Sequence, residues 1–253
     1  MKLFIQLSFV GTDYSGWQKQ KNRITVQEKL TDAAKELFGF DCDVTGCSRT
    51  DSGVHANSFC ATVTQKGDNF IETTIPTGKI PRAFNNFLPN DIAVISAEWV
   101  ENDFHARYSV LYKEYVYKIF YRAERDPFLA DRCWHIPKSI SEDSVTKMNT
   151  AAQAFVGKHD FSAFMAAGSK IEDATRTVKY VQCTKEGNIV EIKIAADGFL
   201  YNMVRIIAGT LVDVADGKLS YDDITRIIES RSRKEAGRTA PAQGLYLNKV
   251  VYR

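Results

Sequence analysis

The alternation of apolar residues at the start of the chain constrains the fold more than any other local pattern. Leu3, Ile5, Leu7 and Phe9 occupy every second position, which is the period of a β-strand with one buried face. Because this apolar pattern is interrupted rather than continuous, we expect a strand here and not a signal peptide. The chain also lacks the ~20 consecutive apolar residues that cross a bilayer, so no membrane span is predicted.

The next segments predict a β-α-β-β-α-β order for the first half of the chain. Thr25 and Glu28 have the spacing of a capping box, and a helical face follows at Val26, Leu30, Ala33, Ala34 and Leu37. Further strands are predicted at 43–47, 58–64 and 92–100, and a second helix at 80–87. This order is that of a ferredoxin-like unit.

The second half shows a comparable succession of elements. Strands are predicted at 115–121, 178–184, 189–195 and 245–252, and helices at 141–156, 202–215 and 222–230. Ser141 is expected to cap the first of these helices and Gly157 to end it. We therefore predict an α+β fold of two ferredoxin-like halves, 1–105 and 106–253. Joined edge to edge into one extended, mostly antiparallel sheet, the halves would protect strand edges, with helices on one side and a central cleft.

Composition limits the classes of function. The net charge of the 253-residue chain is only +2, so any contact with nucleic acid must come from local clusters of its 33 Lys and Arg. Such clusters occur at 19–23, at Arg122 with Arg125, and at 231–238. The five cysteines form no C-x-x-C pair and the four histidines lack metal-ligand spacing, which favours free thiols in a cytoplasmic protein without a metal or other cofactor.

One loop, predicted between the second and third strands, combines residues with catalytic potential. Asp51 has an arginine two positions before it, Arg49, and a glycine two positions after it, Gly53. Thr, Asp, Ser and Gly are ordinary turn formers, and an aspartate often accepts hydrogen bonds from the backbone of its own turn. From these residues alone, Asp51 is either a turn-stabilising residue or a catalytic carboxylate beside a polyanion-binding arginine.

The segment Arg49-Thr50-Asp51-Ser52-Gly53-Val54-His55-Ala56 closely resembles the catalytic loop of the tRNA pseudouridine synthases of the TruA family. Seven further segments are similar to family motifs in the same order: 9–20, 86–92, 104–109, 113–117, 160–164, 202–205 and 240–247. The chain departs from the family pattern at Val10, where an aspartate is usual, and at Cys47-Ser48. Neither departure affects Asp51, so both bear on substrate preference rather than on the chemistry.

The resemblance implies an isomerase that converts uridine to pseudouridine in the anticodon stem-loop of tRNA, at positions 38, 39 and 40, as a homodimer. The uracil is detached from the ribose at nitrogen 1 and rejoined through carbon 5, which requires no cofactor and no metal. Asp51 is implied as the carboxylate that attacks the anomeric carbon or deprotonates the neighbouring carbon. The sequence leaves both routes open, as it does the choice among tRNAs and target positions.

The resemblance also implies roles for four other residues. Arg205 would keep the aspartate ionised, and Tyr115 would stack on the extruded base and assist proton removal at carbon 5. Arg49 would fill the gap left by the base or hold its phosphate, and Leu245 would form an apolar wall against the uracil. His55, although it could serve as a base, is expected to stabilise the loop.

Two other classes of function remain as alternatives. A non-catalytic RNA-binding protein with two ferredoxin-like modules would need exposed aromatic residues on its sheet but neither Asp51 nor Arg205. A phosphatase of the haloacid-dehalogenase type is suggested by Asp41-Cys42-Asp43-Val44-Thr45, which matches D-x-D-x-T. That motif should follow an apolar strand of a parallel sheet, whereas here it follows a predicted helix.

Overall fold

The element order predicted for the first half is present in the computed structural model, which describes residues 1–168 and 171–253. The elements are β1 (Lys2–Phe9), α1 (Val26–Phe38), β2 (Cys42–Gly46), β3 (His55–Gln65), α2 (Ile80–Asn85) and β4 (Ile92–Val100). The strands pair in the order β4-β1-β3, with β2 also on β3, and all of these pairs are antiparallel. These elements belong to a compact unit made of Met1–Leu111 and Leu247–Arg253.

Strand β1 is the centre of this unit because strands pair along both of its edges. Leu3 lies opposite Val63 of β3 and Trp99 of β4. The alternating apolar side chains predicted to face a core are buried, and Leu3, Ile5 and Leu7 are completely inaccessible. Each such side chain contributes about 1.5–3 kcal/mol by leaving water.

Helix α1 follows the predicted pattern with two differences. The Thr25 hydroxyl accepts a hydrogen bond from the N–H of Glu28 at 3.3 Å, but the reciprocal bond of a capping box does not form within the described chain. Four of the five predicted core positions are buried, while Leu37, in the last turn, is only half-buried. The helix ends at Gly39, whose φ of 79° is the left-handed conformation that glycine adopts at little cost.

The second compact unit comprises Tyr112–Tyr246. The elements that lie wholly or mostly in this part of the chain are β5 (Val110–Tyr121), β6 (Trp134–Ile136), α3 (Glu142–Ala152), β7 (Gly157–Asp160), β8 (Thr175–Glu186), β9 (Ile189–Ala196), α4 (Met203–Ala215) and α5 (Tyr221–Ser230). The last strand, β10 (Leu245–Tyr252), has its first two residues in this unit and the others in the first unit. The order β5-β9-β8-β7 is antiparallel, and β6 adds a short parallel pair to β5. Both units thus combine helices with mostly antiparallel strands, which confirms the predicted α+β class.

Several boundaries in this unit differ from the predicted ones. Helix α3 ends at Ala152, not at 156, because a 3₁₀ turn follows at Gln153–Phe155. Gly157, with a φ of 109°, then begins the unpredicted strand β7. Strand β6 was not predicted either, because three residues are too few to show a period of two.

None of the described helices combines the length and the apolar character needed to cross a membrane. All five cysteines lie in the described part of the chain, where their side chains are buried and no disulfide forms.

Candidate active site

The Asp51 loop is held by backbone contacts from the segment that follows β1. The N–H of Trp17 donates to the carbonyl of Thr50 at 3.1 Å, and the hydroxyl of Ser52 donates to the carbonyl of Tyr14 at 3.1 Å. Gly16 lies between these bonds with a φ of 85°, and a Cβ atom there would stand 2.5 Å from the Thr50 carbonyl oxygen. The close approach of the two backbones therefore requires a glycine at position 16.

The end of the loop is fixed by a second glycine of the same segment. A Cβ on Gly11 would lie 2.0 Å from the carbonyl oxygen of Val54, so the two backbones are in direct contact. The N–H of Gly11 donates to Nδ1 of His55 at 3.0 Å, and His55 is 1% exposed. This buried acceptor role agrees with the expectation that His55 stabilises the loop.

Tyr14 ties the same segment to the core of the unit. Its hydroxyl donates to Oδ1 of Asp91 at 2.7 Å. Burial, followed by the hydrogen bond and the negative charge of Asp91, raises the pKa of Tyr14, so the phenol remains a donor through the neutral range. The backbone N–H of Val10 donates to the Asp91 carbonyl at 2.8 Å. The position where the family usually has an aspartate thus lies at this anchoring point.

The side chains of the loop differ in exposure. Asp51 is half-buried and Arg49 is exposed, while Thr50 between them is buried. The N–H of Val54 closes the turn onto the carbonyl of Asp51 at 3.2 Å. The backbone of Asp51 is thereby fixed on both sides, and the residue as a whole is not fully enclosed.

In the second unit, Tyr115 lies on β5 opposite Ile194 of β9. It is 6% exposed, and its ring meets that of Phe199 edge to face, with centroids 5.0 Å apart. Packing of this kind is worth about 0.5–1.5 kcal/mol beyond burial. The ring orientation is therefore fixed by its neighbours.

Arg205, in the first turns of α4, is half-buried and held at two points. Its Nε donates to the carbonyl of Ala240 at 2.7 Å, and its Nη1 donates to Oδ1 of Asn202 at 2.7 Å. The carbonyl of Arg205 in turn accepts the N–H of Ala240 at 3.1 Å. Asn202 precedes the helix in a left-handed conformation with a φ of 59°, which places its side chain beside the guanidinium.

Leu245 begins β10 and is 7% exposed. The preceding segment is fastened to β5 of the same unit, since Tyr117 donates its hydroxyl to the carbonyl of Pro241 at 2.7 Å. A Cβ on Gly244 would lie 2.7 Å from the Tyr117 ring, so this residue must also be a glycine. Leu245 is thus presented at the end of a tightly packed turn.

The structure places Arg49 and Asp51 in one loop of the first unit, and Tyr115, Arg205 and Leu245 on three elements of the second. The residues that hold them were not predicted from the sequence. Asn202 and Ala240 lie in segments similar to the family motifs, which was the only signal for them, while Phe199 lies outside those segments.

The basic clusters are partly used for internal contacts. Arg122 donates to the carbonyls of Glu124 and Arg125, both at 3.1 Å, and so stabilises its own loop. Arg231 pairs with Asp160 at 3.1 Å. Lys19 and its neighbours at 20–23 are exposed.

The D-x-D-x-T segment lacks the structural context of a phosphatase. Asp43 lies on β2, which pairs antiparallel with β3, and its carboxylate accepts the N–H of Gly67 at 3.3 Å. Asp41 pairs with Lys35 at 2.9 Å. Within the described ranges, no group of three or more His, Cys, Asp or Glu is arranged to hold a metal ion.

Comparison with known proteins identifies the class. The tRNA pseudouridine synthase family matches residues 6–109 and 151–253. The chain is 46% identical over its whole length to "tRNA pseudouridine synthase A" of Acetivibrio thermocellus, covering 99% of that protein. It is 44% identical over 99% of both chains to the protein of the same name from Thermoanaerobacter sp. (strain X514). The chain therefore belongs to the tRNA pseudouridine synthase family, whose members are isomerases.

Proposed function

We propose that this protein isomerises uridine to pseudouridine at positions 38, 39 and 40 in the anticodon stem-loop of tRNA. Two observations support the proposal. Relatives similar over nearly the whole chain are named tRNA pseudouridine synthase A, and the backbone on both sides of Asp51 is in close contact with Gly11 and Gly16, where an added Cβ would collide with it. The second observation carries the proposal, since the reaction needs a carboxylate on a rigidly held backbone.

The reaction breaks the bond between nitrogen 1 of uracil and the anomeric carbon of ribose. The ring turns, carbon 5 bonds to the anomeric carbon, and the proton lost from carbon 5 is balanced by a proton on nitrogen 1. In our proposal the Asp51 carboxylate either attacks the anomeric carbon or takes a proton from the neighbouring ribose carbon. Both routes need the negative charge of the carboxylate.

Four further residues complete the proposed site. Arg205 favours the ionised form of the aspartate, Tyr115 stacks on the extruded uracil and assists removal of the carbon 5 proton, and Leu245 bounds the ring. Arg49 contacts the phosphate or fills the space of the flipped base. Extrusion costs a few kcal/mol, of which stacking on one aromatic ring returns ~1–3 kcal/mol.

The test is formation of pseudouridine by the purified protein on tRNA transcripts, mapped at single-nucleotide resolution. We expect modification confined to positions 38–40 and affinity that falls steeply with salt, because each neutralised phosphate adds ~0.7–0.9 to the log–log slope. Modification elsewhere in the tRNA would contradict the target assignment, and a flat salt response would contradict a polyanionic substrate.

We further propose that the working form is a cytoplasmic homodimer. Sedimentation equilibrium of the purified protein should give twice the chain mass at the concentrations used for activity. A monomer with full activity would contradict this part of the proposal.

A further inference from the structure

A small groove beside the Asp51 loop shares only Arg49 with the proposed site. It has a volume of about 240 Å³ and lies entirely within the first unit. Its lining includes Ser48 and Arg49 from the loop and His105, Arg107 and Tyr108 from a later turn. The groove is below the ~300–1,000 Å³ typical of sites that enclose a drug-sized ligand, so its size suits one small group.

One lining residue of the groove is rigidly held. Trp17 is stacked on Phe59 with ring centroids 4.0 Å apart. A Cβ on Gly46 would lie 2.6 Å from the Trp17 ring, which shows that the indole is pressed against the backbone of β2. The same Trp17 donates its backbone N–H to the Asp51 loop, so groove and loop share one support.

The wall formed by residues 104–109 is a turn anchored from several directions. The Phe104 ring packs on Phe4 and Tyr252, with centroids 5.4 and 5.1 Å away. The Tyr252 hydroxyl donates to the carbonyl of Ala106 at 2.9 Å, and Lys2 Nζ donates to the carbonyl of Phe104 at 2.9 Å. The N–H groups of Arg107 and Tyr108 bind Nδ1 of His105. The turn is therefore preorganised.

This preorganised turn leaves a large aromatic side chain in solvent. Tyr108 is 74% exposed, yet its ring is positioned by His105, 4.3 Å away between centroids, and by the Arg107 guanidinium, 5.5 Å from the ring centre. Burial and the charges of Lys2 and Arg107 lower the pKa of His105, so its ring is neutral near pH 7. An anchored turn thus offers two adjacent aromatic rings, tilted by 40° to each other, next to a guanidinium.

We propose that this groove binds one unpaired nucleotide of the RNA substrate, separate from the isomerised uridine, by stacking its base on Tyr108 and His105. Arg107 and Arg49 contact the flanking phosphates. The inference rests on the proposed function, because it takes the RNA to be the substrate of the Asp51 loop. Stacking on aromatic rings is the usual way in which proteins hold single-stranded bases.

The charges of the groove favour RNA over a protein partner. Among the described residues that line it, two are arginines and none is a carboxylate. Arginine supplies both phosphate contacts and planar stacking. The distance along the chain from Arg49 to Asp51 is two residues, so a nucleotide held here is a near neighbour of the reacting one.

The test couples a protein variant to single abasic substitutions in an anticodon stem-loop RNA. Tyr108→Ala should weaken binding of the intact RNA by about 5- to 150-fold, as expected for one stacked base, whereas Tyr108→Phe should bind like the parent. Tyr221→Ala serves as the matched control, because Tyr221 is also an exposed tyrosine and does not line the groove. Abasic substitutions are made one at a time at every loop position.

At one loop position, the abasic RNA should bind the parent protein more weakly than the intact RNA does. The same abasic RNA should bind Tyr108→Ala no more weakly than it binds the parent. The inference would be overturned if the parent and Tyr108→Ala bound intact RNA equally, or if the two losses of affinity were additive at every loop position. The proposed function would still stand in either case if the parent forms pseudouridine. A parent protein that forms none would instead overturn the proposed function and this inference together.

Discussion

The two units hold their candidate residues in different ways. In the first, Asp51 is positioned by backbone on backbone: Gly11 and Gly16 allow the chain to approach Val54 and Thr50 more closely than any side chain would permit. In the second, Arg205 is positioned by its own side chain, which donates to Ala240 and Asn202.

This difference predicts different responses to mutation. A residue whose backbone is held in place keeps its position when its own side chain is changed. It loses that position when a neighbouring glycine gains a Cβ. The position of a guanidinium that is held by its own hydrogen bonds depends on the planar, forked arrangement of its N–H donors.

The largest effect is expected for Gly16→Ala. The new Cβ would collide with the Thr50 carbonyl and also adopt a left-handed conformation, so we expect a loss of about 2–5 kcal/mol of unfolding free energy and loss of turnover. Gly39→Ala is the matched control: its φ is 79°, but no atom lies within 4 Å. It should cost about 1–2 kcal/mol and keep full turnover. Unfolding free energy is measured by denaturation and turnover by the single-turnover rate. Equal losses of both in the two variants would contradict the claim that backbone contacts position Asp51.

Tyr115→Phe should lower the single-turnover rate by about 10²–10⁴-fold if the hydroxyl moves a proton. The ring that packs on Phe199 remains, so RNA affinity and melting temperature should stay close to those of the parent. A variant with unchanged turnover would show that Tyr115 serves in packing and stacking alone.

Arg205→Lys keeps the positive charge but removes the fork that reaches both Ala240 and Asn202. We expect about 1–3 kcal/mol less stability, because acceptors lose their donor, and a turnover reduced about tenfold or more. The melting temperature and the single-turnover rate should therefore fall together. A lysine variant that matches the parent in both would mean that charge alone suffices.

The smallest effect, none at all, is expected for metal removal. Activity should persist in excess EDTA once the folding of the tRNA is maintained independently, because the isomerisation needs no Lewis acid. Loss of turnover in EDTA that zinc restores would contradict the cofactor-free mechanism.

The sequence predicted the elements with strong local signals and missed those without them. The alternation at Leu3–Phe9 identified β1, and Thr25 identified the start of α1, because periodicity and capping are local properties. Strands β6 and β7 are three and four residues long, too short for such a signal.

The contacts that hold the candidate site could not be predicted from local sequence patterns. Gly16 meets Thr50 across 34 positions of the chain, and Trp17 meets Gly46 across 29. No local pattern encodes such contacts, which depend on the paired strands that bring the segments together. The roles of Asp51 and Arg205 were reached through resemblance to a family and remain predictions.

The central claim is that the carboxylate of Asp51 carries out the chemistry. Asp51→Asn is nearly isosteric and should preserve the loop, because the contacts that Gly11, Gly16 and Trp17 make with the loop are to its backbone. We predict no detectable pseudouridine in a single-turnover assay on anticodon stem-loop RNA, with RNA affinity equal to or slightly tighter than that of the parent, since one negative charge is lost. If folded Asp51→Asn forms pseudouridine at a rate near that of the parent, Asp51 is only a turn residue and the account is wrong.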